Sequence, residues 1–231
     1  MPQRYWRYSD MKLFLSALTK FIAGFLLCAM LIFLPAGTLA YYRGWLFIGL
    51  LFLPMLALGA LMLKSSPELL KRRLDSKEKE KTQKGVVALS GIMFLAGFIL
   101  AGLDFRFSWT RVPLFLTVIG AVILLISYAL YAEVMRENEY LSRTVKVEEG
   151  QKVIDTGLYG IVRHPMYAVT LFLFLSIPLV LGSWISFACF LIYPAVIIVR
   201  IVNEEKVLCK ELMGYDEYKK RVRYRLIPFI W

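Results

Sequence analysis

Long runs of apolar residues alternate with short charged segments along most of this chain. Four runs, near residues 21–40, 45–63, 85–103 and 112–132, are each about 20 residues long. A helix of that length crosses a hydrocarbon layer of about 30 Å. Because backbone polar groups cannot remain unpaired in lipid, each run is predicted to be a transmembrane helix.

A fifth apolar stretch, residues 166–199, is too long for one crossing. Gly182 and Ser183 lie near its middle and predict a turn. We therefore expect two antiparallel helices, with Pro178 and Pro194 as kinks. Together these patterns predict an all-α polytopic membrane bundle of five to six transmembrane helices that includes a C-terminal helical hairpin.

The segments between the apolar runs predict shorter features. A tight turn is expected at residues 41–44, and the charged run after Pro67 predicts a short amphipathic helix, with a solvated surface segment as an equal alternative. Gly97 and Ala101 have the spacing that lets helices pack closely. A charged helix is expected over 200–213, ending near Gly214.

Composition and charge agree with a membrane protein. The chain is 59% hydrophobic, with a mean hydropathy of +0.62, whereas soluble domains are about 45–50% apolar. With a cytoplasmic N-terminus, only Arg43, Arg106 and Arg111 among the 28 Lys and Arg residues fall on the outer face. This asymmetry predicts a multi-pass protein with both termini in the cytoplasm, and it explains the net charge of +11 without nucleic-acid binding.

Candidate chemistry is concentrated in the second half of the chain. Residues 1–132 are expected to form a scaffold of about four helices, and residues 133–231 a functional region. The three cysteines are widely spaced and predict neither a zinc site nor a disulfide framework. The N-terminal apolar run is too long for a cleaved signal peptide.

The single histidine lies at the start of the fifth apolar stretch, between Arg163 and Pro165. Proline is favourable at the first position of a helix, so His164 is the expected N-cap. The positive end of the helix dipole, together with Arg163, would form an anion-binding corner. Contact of two interfacial side chains with lipid headgroups is the alternative.

Arg200, Glu204 and Glu205 follow the same apolar hairpin at its other end. Arg200 and Glu204 can pair along one helix face, but ionisable residues at membrane depth are also functional candidates. The hairpin should bring this cluster to the membrane face that carries His164. Gly157 predicts a tight turn before the corner, and the tail after residue 215 is expected to fold back and close the site.

These motifs together resemble a known family. The run Thr-Gly-Leu-Tyr-Gly-Ile-Val-Arg-His-Pro-Met-Tyr at 156–167, the Glu pair at 204–205, Gly-Tyr-Asp-Glu-Tyr-Lys-Lys-Arg-Val at 214–222 and Ile-Pro-Phe at 227–229 are similar to the isoprenylcysteine carboxyl methyltransferases. That family belongs to a wider group of integral-membrane methyltransferases that includes phospholipid N-methyltransferases. The resemblance covers roughly residues 143–231.

The resemblance implies S-adenosylmethionine as methyl donor, in a pocket that faces the cytoplasm. It places cofactor contacts at Gln151, Lys152, Val153, Ile154, Tyr159, His164, Pro165, Met166, Tyr167 and Glu205. It also assigns substrate contact to Arg200. The spacing from Gly214 favours Glu205 as the cofactor-contacting acid, whereas the spacing from Arg200 favours Glu204. Glu204 is the candidate base if the methyl acceptor is an amine or a thiol.

The resemblance implies a lipophilic acceptor, with an isoprenylcysteine carboxylate as the first choice and a phospholipid amine or a small thiol as alternatives. Two other classes of function are retained as hypotheses. One is a nicotinamide-dependent membrane reductase, because sterol reductases have a related C-terminal architecture. The other is a non-catalytic membrane protein or small-molecule transporter, which predicts no ligand at the His164 corner.

Overall fold

The computed structural model describes residues 8–75, 81–142, 144–145 and 147–231. Residues 76–80, 143 and 146 lie outside this range, as do the first seven residues. The described part of the chain is helical and contains no strand. Its helices are α1 (Tyr8–Ala36), α2 (Tyr42–Ser65), α3 (Pro67–Leu74), α4 (Lys81–Phe107), α5 (Leu114–Glu137), α6 (Pro165–Leu181), α7 (Trp184–Phe190), α8 (Tyr193–Glu211) and α9 (Tyr215–Arg221), with a 3₁₀ turn at Gly157–Gly160.

Five helical segments within the described residues are long and apolar enough to cross a membrane. They are Met11–Ala36, Tyr42–Ser65, Gln83–Phe107, Leu114–Glu137 and Trp184–Glu211, and the last of them comprises α7 and α8. The shorter apolar helix α6 is packed mainly against α5. The predicted all-α polytopic bundle is therefore confirmed.

The turn predicted at Gly182 and Ser183 is present and divides α6 from α7. Gly182 has a φ of +82°, a left-handed conformation that glycine adopts without steric cost. Ser183 caps α7 because its hydroxyl accepts a hydrogen bond from the backbone N–H of Ser186. Pro178 lies inside α6 as predicted, but Pro194 is in the first turn of α8 and does not kink a continuous helix.

One predicted turn lies elsewhere, and one predicted helix is present but begins earlier than expected. The turn expected at residues 41–44 lies earlier, because Gly37 takes a φ of +69° and its N–H closes the end of α1 on the carbonyl of Phe33. The charged helix expected at 200–213 is the second part of α8, which runs unbroken from the apolar residues. Gly214, with a φ of +84°, instead immediately precedes α9.

Close helix packing explains the small residues of α4. A Cβ atom on Gly97 would lie 2.3 Å from Cε2 of Phe190, so the ring of α7 occupies the space that a side chain would need. Ala101 is fully buried, and a Cβ on Gly102 would lie 2.5 Å from the carbonyl oxygen of Ile32. The close packing predicted for Gly97 and Ala101 is thus confirmed.

Many large apolar side chains face outward from the bundle. Leu34, Leu53 and Leu114, for example, are 68–70% exposed. Exposed apolar area on this scale suits a lipid environment. The helix order brings α3, the segment after α5 and the C-terminal end of α8 to one side of the bundle, which we call the cavity face.

Candidate functional site

A cavity opens at the cavity face between residues 138–167, the second part of α8 and α9. The empty space among its side chains, part of it open to solvent, is about 830 Å³, within the range of small-molecule sites. Of the twelve site residues predicted from the sequence, these eleven line it: Gln151, Lys152, Val153, Ile154, Tyr159, His164, Pro165, Met166, Tyr167, Arg200 and Glu204.

His164 is the residue before α6, with Pro165 in the first turn, as the sequence predicts. Its position is fixed by the C-terminal tail, because the backbone N–H groups of Arg163 and His164 donate to the carbonyls of Tyr224 and Arg225, both at 2.9 Å. The side chain is 5% exposed. Its Nε2 has no hydrogen-bond partner among the described residues, since Oε1 of Glu205 is 3.4 Å away, beyond ordinary hydrogen-bond length.

Glu205 does not line the cavity and lies at the centre of a buried ionic cluster. Its Oε1 is 2.7 Å from Nε of Arg163, and its Oε2 is 2.8 Å from Nε of Arg225. Nη1 of Arg163 also donates to the carbonyls of Val222 and Arg223. Arg163 therefore neutralises Glu205 and holds the tail, whereas the sequence predicted it as part of an anion-binding corner.

Arg200 and Glu204 meet inside the cavity through Tyr167. Nε of Arg200 donates to the Tyr167 hydroxyl at 2.8 Å, and that hydroxyl donates to Oε2 of Glu204 at 2.5 Å. Arg200 is 8% exposed and Glu204 is partly buried. The arrangement places a guanidinium, a phenol and a carboxylate next to one another in the cavity lining. Among the described residues, Glu204 is the only carboxylate that lines the cavity.

Tyrosine side chains form much of the remaining lining of the cavity. The Tyr159 hydroxyl accepts from Nδ2 of Asn138 at 2.9 Å, and the Tyr218 hydroxyl donates to the carbonyl of Tyr159 at 2.7 Å. The Tyr215 hydroxyl is buried without a hydrogen-bond partner in the described part of the chain. Burial raises the pKa of all three phenols well above the ordinary value, so at neutral pH they are uncharged.

Several lining residues were not among the predicted site residues. Asn138, Tyr140 and Ser142 belong to the irregular segment after α5, where the sequence has no periodic pattern to place them. Tyr215 and Tyr218 did have a signal, because they lie within the motif at 214–222 that carried the family resemblance. Contact of the tail with the site agrees with the predicted fold-back of residues after 215.

Comparison with known proteins finds a family similarity in the part of the chain that builds most of this cavity. Residues 115–213 match the model of a family described as phospholipid methyltransferase. This part of the chain is similar to that family, whose members are membrane methyltransferases. The resemblance to integral-membrane methyltransferases is thereby confirmed for α5 to α8 and the segments that join them.

Two relatives extend the comparison. The chain is 32% identical to the mouse (Mus musculus) delta(14)-sterol reductase TM7SF2 over 91 residues, which are 38% of this chain and 22% of the reductase. It is 33% identical over 91 residues to the uncharacterized protein YpbQ of Bacillus subtilis, covering 39% of this chain and 54% of that protein. The match thus spans about half of one relative and under a quarter of the other.

Proposed function

We propose that this protein is an S-adenosylmethionine-dependent methyltransferase that works from the membrane on a lipophilic acceptor. The observation that carries the proposal is the convergence of residues 151–154, 159, 164–167, 200 and 204 on one cavity. These positions were selected from the sequence and its family resemblance, without a structure, and they are spread over more than 50 residues of sequence. The family match over residues 115–213 supports the same reaction class.

The donor set of the cavity fits this cofactor. S-Adenosylmethionine carries a carboxylate, an ammonium group, a sulfonium and an adenosine. Glu204 is available for the ammonium group, and the start of α6 beside His164 favours a carboxylate. The buried Nε2 of His164 and the Tyr215 hydroxyl lack partners in the described residues, and a polar ligand would relieve the cost of leaving such atoms unpaired.

When bound, the cofactor supplies an electrophilic methyl group. The residues of this chain need only align an acceptor and exclude water, and well-oriented reactants reach effective molarities of about 10⁵–10⁸ M. In the proposal, Arg200 orients an anionic acceptor and Tyr167 fixes the guanidinium. A carboxylate acceptor of the isoprenylcysteine type is already ionised and needs no base. An amine or thiol acceptor would require one, and Glu204 is positioned for that role.

Calorimetric titration of the purified protein with S-adenosylhomocysteine tests the proposal. We expect binding to the wild type and about tenfold weaker binding to His164→Ala, because the variant loses a donor to a charged group. Cys28→Ala, a buried substitution in α1 far from the cavity, serves as the control and should bind normally. Absence of binding to the wild type would refute the proposed function.

The acceptor class is tested with radiolabelled S-adenosylmethionine. Purified protein is supplied in parallel with a prenylated cysteine, a phosphatidylethanolamine vesicle and a long-chain thiol. We expect methyl ester formation on the prenylated cysteine, recognisable because mild alkali releases the label as methanol. Alkali-stable label in the phospholipid fraction would instead assign the protein to the amine methyltransferases.

A second candidate function is reduction by a nicotinamide cofactor, favoured by the similarity to delta(14)-sterol reductase. A 2′-phosphate requires a cluster of basic groups, whereas the cationic residues among the described cavity lining are Lys152, Arg163 and Arg200. Arg163 is already bound to Glu205. Competition between NADPH and S-adenosylhomocysteine separates the two functions, and we expect NADPH to leave the binding of S-adenosylhomocysteine unchanged.

A further inference from the structure

We propose that α3, which lies outside the family-matched residues 115–213, positions the wall of the cavity through Arg72 and Arg73. The wall is defined here as the described residues of 138–151, which include the lining residues Asn138, Tyr140, Ser142 and Gln151. Its role in cofactor binding rests on the proposed function. Its attachment to α3 does not, so the two ideas can fail separately.

Arg72 holds the wall at two points. Its Nε and Nη2 lie 3.1 and 2.8 Å from the two carboxylate oxygens of Glu148, and its Nη1 donates to the carbonyl of Glu139 at 2.7 Å. The side chains of Arg72 and Glu148 are 26% and 24% exposed. A bidentate pair of this kind fixes orientation as well as distance. We call this pair the clasp.

Arg73 reaches the cavity lining more directly. Its Nη1 donates to the carbonyl of Ser142 at 3.1 Å and lies 3.7 Å from Sδ of Met166. Its Nη2 donates to the Tyr131 hydroxyl of α5. One guanidinium therefore joins the wall, the start of α6 and the end of α5.

The helix that carries both arginines is itself anchored. Leu69 and Leu70 of α3 are 7% and 6% exposed, and Leu69 packs in a cluster with Val134 of α5, Leu141 of the wall and Tyr159. The arginines thus extend from a fixed helix, so their contacts restrain the wall.

The wall depends on such restraints because its described residues contain no helix or strand. Each residue that is not held in regular structure gives up about 1–2 kcal/mol of backbone entropy when it is ordered. Small displacements of groups that position reactants can cost about 100-fold in rate. A clasp from α3 keeps Tyr140, Ser142 and Gln151 in place before a ligand arrives.

Hydrogen exchange and ligand titration on the full-length protein in nanodiscs test the clasp. The variants are Arg72→Ala, Glu148→Ala, their double variant and the charge exchange Arg72→Glu with Glu148→Arg. Lys71→Ala is the matched control, because Lys71 is on the same helix, carries the same charge and is 73% exposed.

We expect faster amide exchange at residues 138–151 in Arg72→Ala, with α1 and α4 unchanged, and about fivefold weaker binding of S-adenosylhomocysteine. The double variant should be no worse than Arg72→Ala, because that variant has already lost the ion pair. Glu148→Ala alone should have the smaller effect, since it leaves the bond from Arg72 to the Glu139 carbonyl. The charge-swapped double variant, Arg72→Glu with Glu148→Arg, should recover part of the protection from amide exchange. It restores the ion pair but not the bond to the Glu139 carbonyl.

The inference would be overturned if amides at residues 138–151 exchanged at the wild-type rate in Arg72→Ala. It would also be overturned if Lys71→Ala accelerated their exchange equally. Faster exchange throughout the bundle would also overturn it, because that would mark a general loss of stability. If the wild type binds no S-adenosylhomocysteine, the proposed function fails, while the exchange measurement still decides whether α3 holds the wall.

Discussion

Two adjacent glutamates in α8 have opposite surroundings. Glu204 lines the cavity and accepts one hydrogen bond from Tyr167. Glu205 is 5% exposed and faces Arg163, His164 and Arg225. Successive residues of a helix point about 100° apart, so neighbours of the same type can serve different purposes. Glu205 therefore holds the tail against α6, and under the proposed function we expect Glu204 to be the acid that contacts the ligand.

Substitution of each glutamate by glutamine should separate these roles. Glu205→Gln leaves the buried Arg163 without a counter-charge and is expected to lower the free energy of unfolding by about 3 kcal/mol. Glu204→Gln should unfold as the wild type does but bind S-adenosylhomocysteine about tenfold more weakly. Thermal unfolding in detergent and calorimetry measure the two effects. A stable Glu205→Gln protein would contradict the assigned structural role.

The sequence predicts some of these residue positions better than others. The N-cap position of His164 follows from local rules, because proline at the next residue marks the start of a helix. The pairing of Arg163 with Glu205 joins residues that are 42 positions apart. No periodicity connects such residues, so their ion pair could not be predicted. Glu205 was assigned to the cofactor from the family resemblance, with the spacing from Gly214 deciding between the two glutamates.

At the scale of helices, packing depends on α4. Its residues contact α1, α7 and α8, and it has glycines both at contacts and on its free side. Gly102 approaches the backbone of α1, whereas a Cβ on Gly91 would meet no atom within 4 Å. The same helix therefore provides a test site and its own control.

Alanine substitutions should distinguish the two glycines. Gly102→Ala forces α1 and α4 apart, because backbone atoms of Ile32 and Ala36 cannot move aside, and we expect a loss of about 1–3 kcal/mol. Gly91→Ala should be neutral or slightly stabilising, since alanine favours the helix. Unfolding in detergent followed by circular dichroism measures both. Equal stability of the two variants would argue against a close α1–α4 contact.

The helices themselves were largely predictable from apolar run lengths, but their ends were not. The end of α1 is set by Gly37, whose left-handed conformation is invisible in hydropathy. α8 continues past its apolar part because helical hydrogen bonding does not require a membrane. The division into a scaffold at 1–132 and a functional region at 133–231 stays a prediction, although the contacts of α3 connect the first part to the cavity wall.

At the scale of the whole molecule, the two ends of the bundle differ in charge. Arg43, Arg106 and Arg111 lie at the end opposite the cavity face, whereas the described basic residues of α3, the second part of α8 and α9 lie at the cavity face. The positive-inside rule then predicts a cavity that opens to the cytoplasm.

Cysteine labelling in intact cells tests this orientation. In a background without Cys28, Cys189 and Cys209, single cysteines are placed by Ser65→Cys at the cavity face and Ser108→Cys at the opposite face, both at exposed positions. A membrane-impermeant maleimide should label the cysteine at 108 in intact cells and the one at 65 only after permeabilisation. The reverse pattern would place the cavity outside.

The bond between the start of α6 and the C-terminal tail has a consequence for biosynthesis. The N–H of Arg163 pairs with the carbonyl of Tyr224, and the Arg163 side chain with the carbonyl of Arg223, 60 residues later in the chain. At about 5–20 residues per second, the ribosome needs roughly 3–12 s to supply those partners. During that interval α6 has been synthesised, but Arg163 and His164 still lack their hydrogen-bond partners in the tail. The cavity can therefore be completed only after the tail has been synthesised.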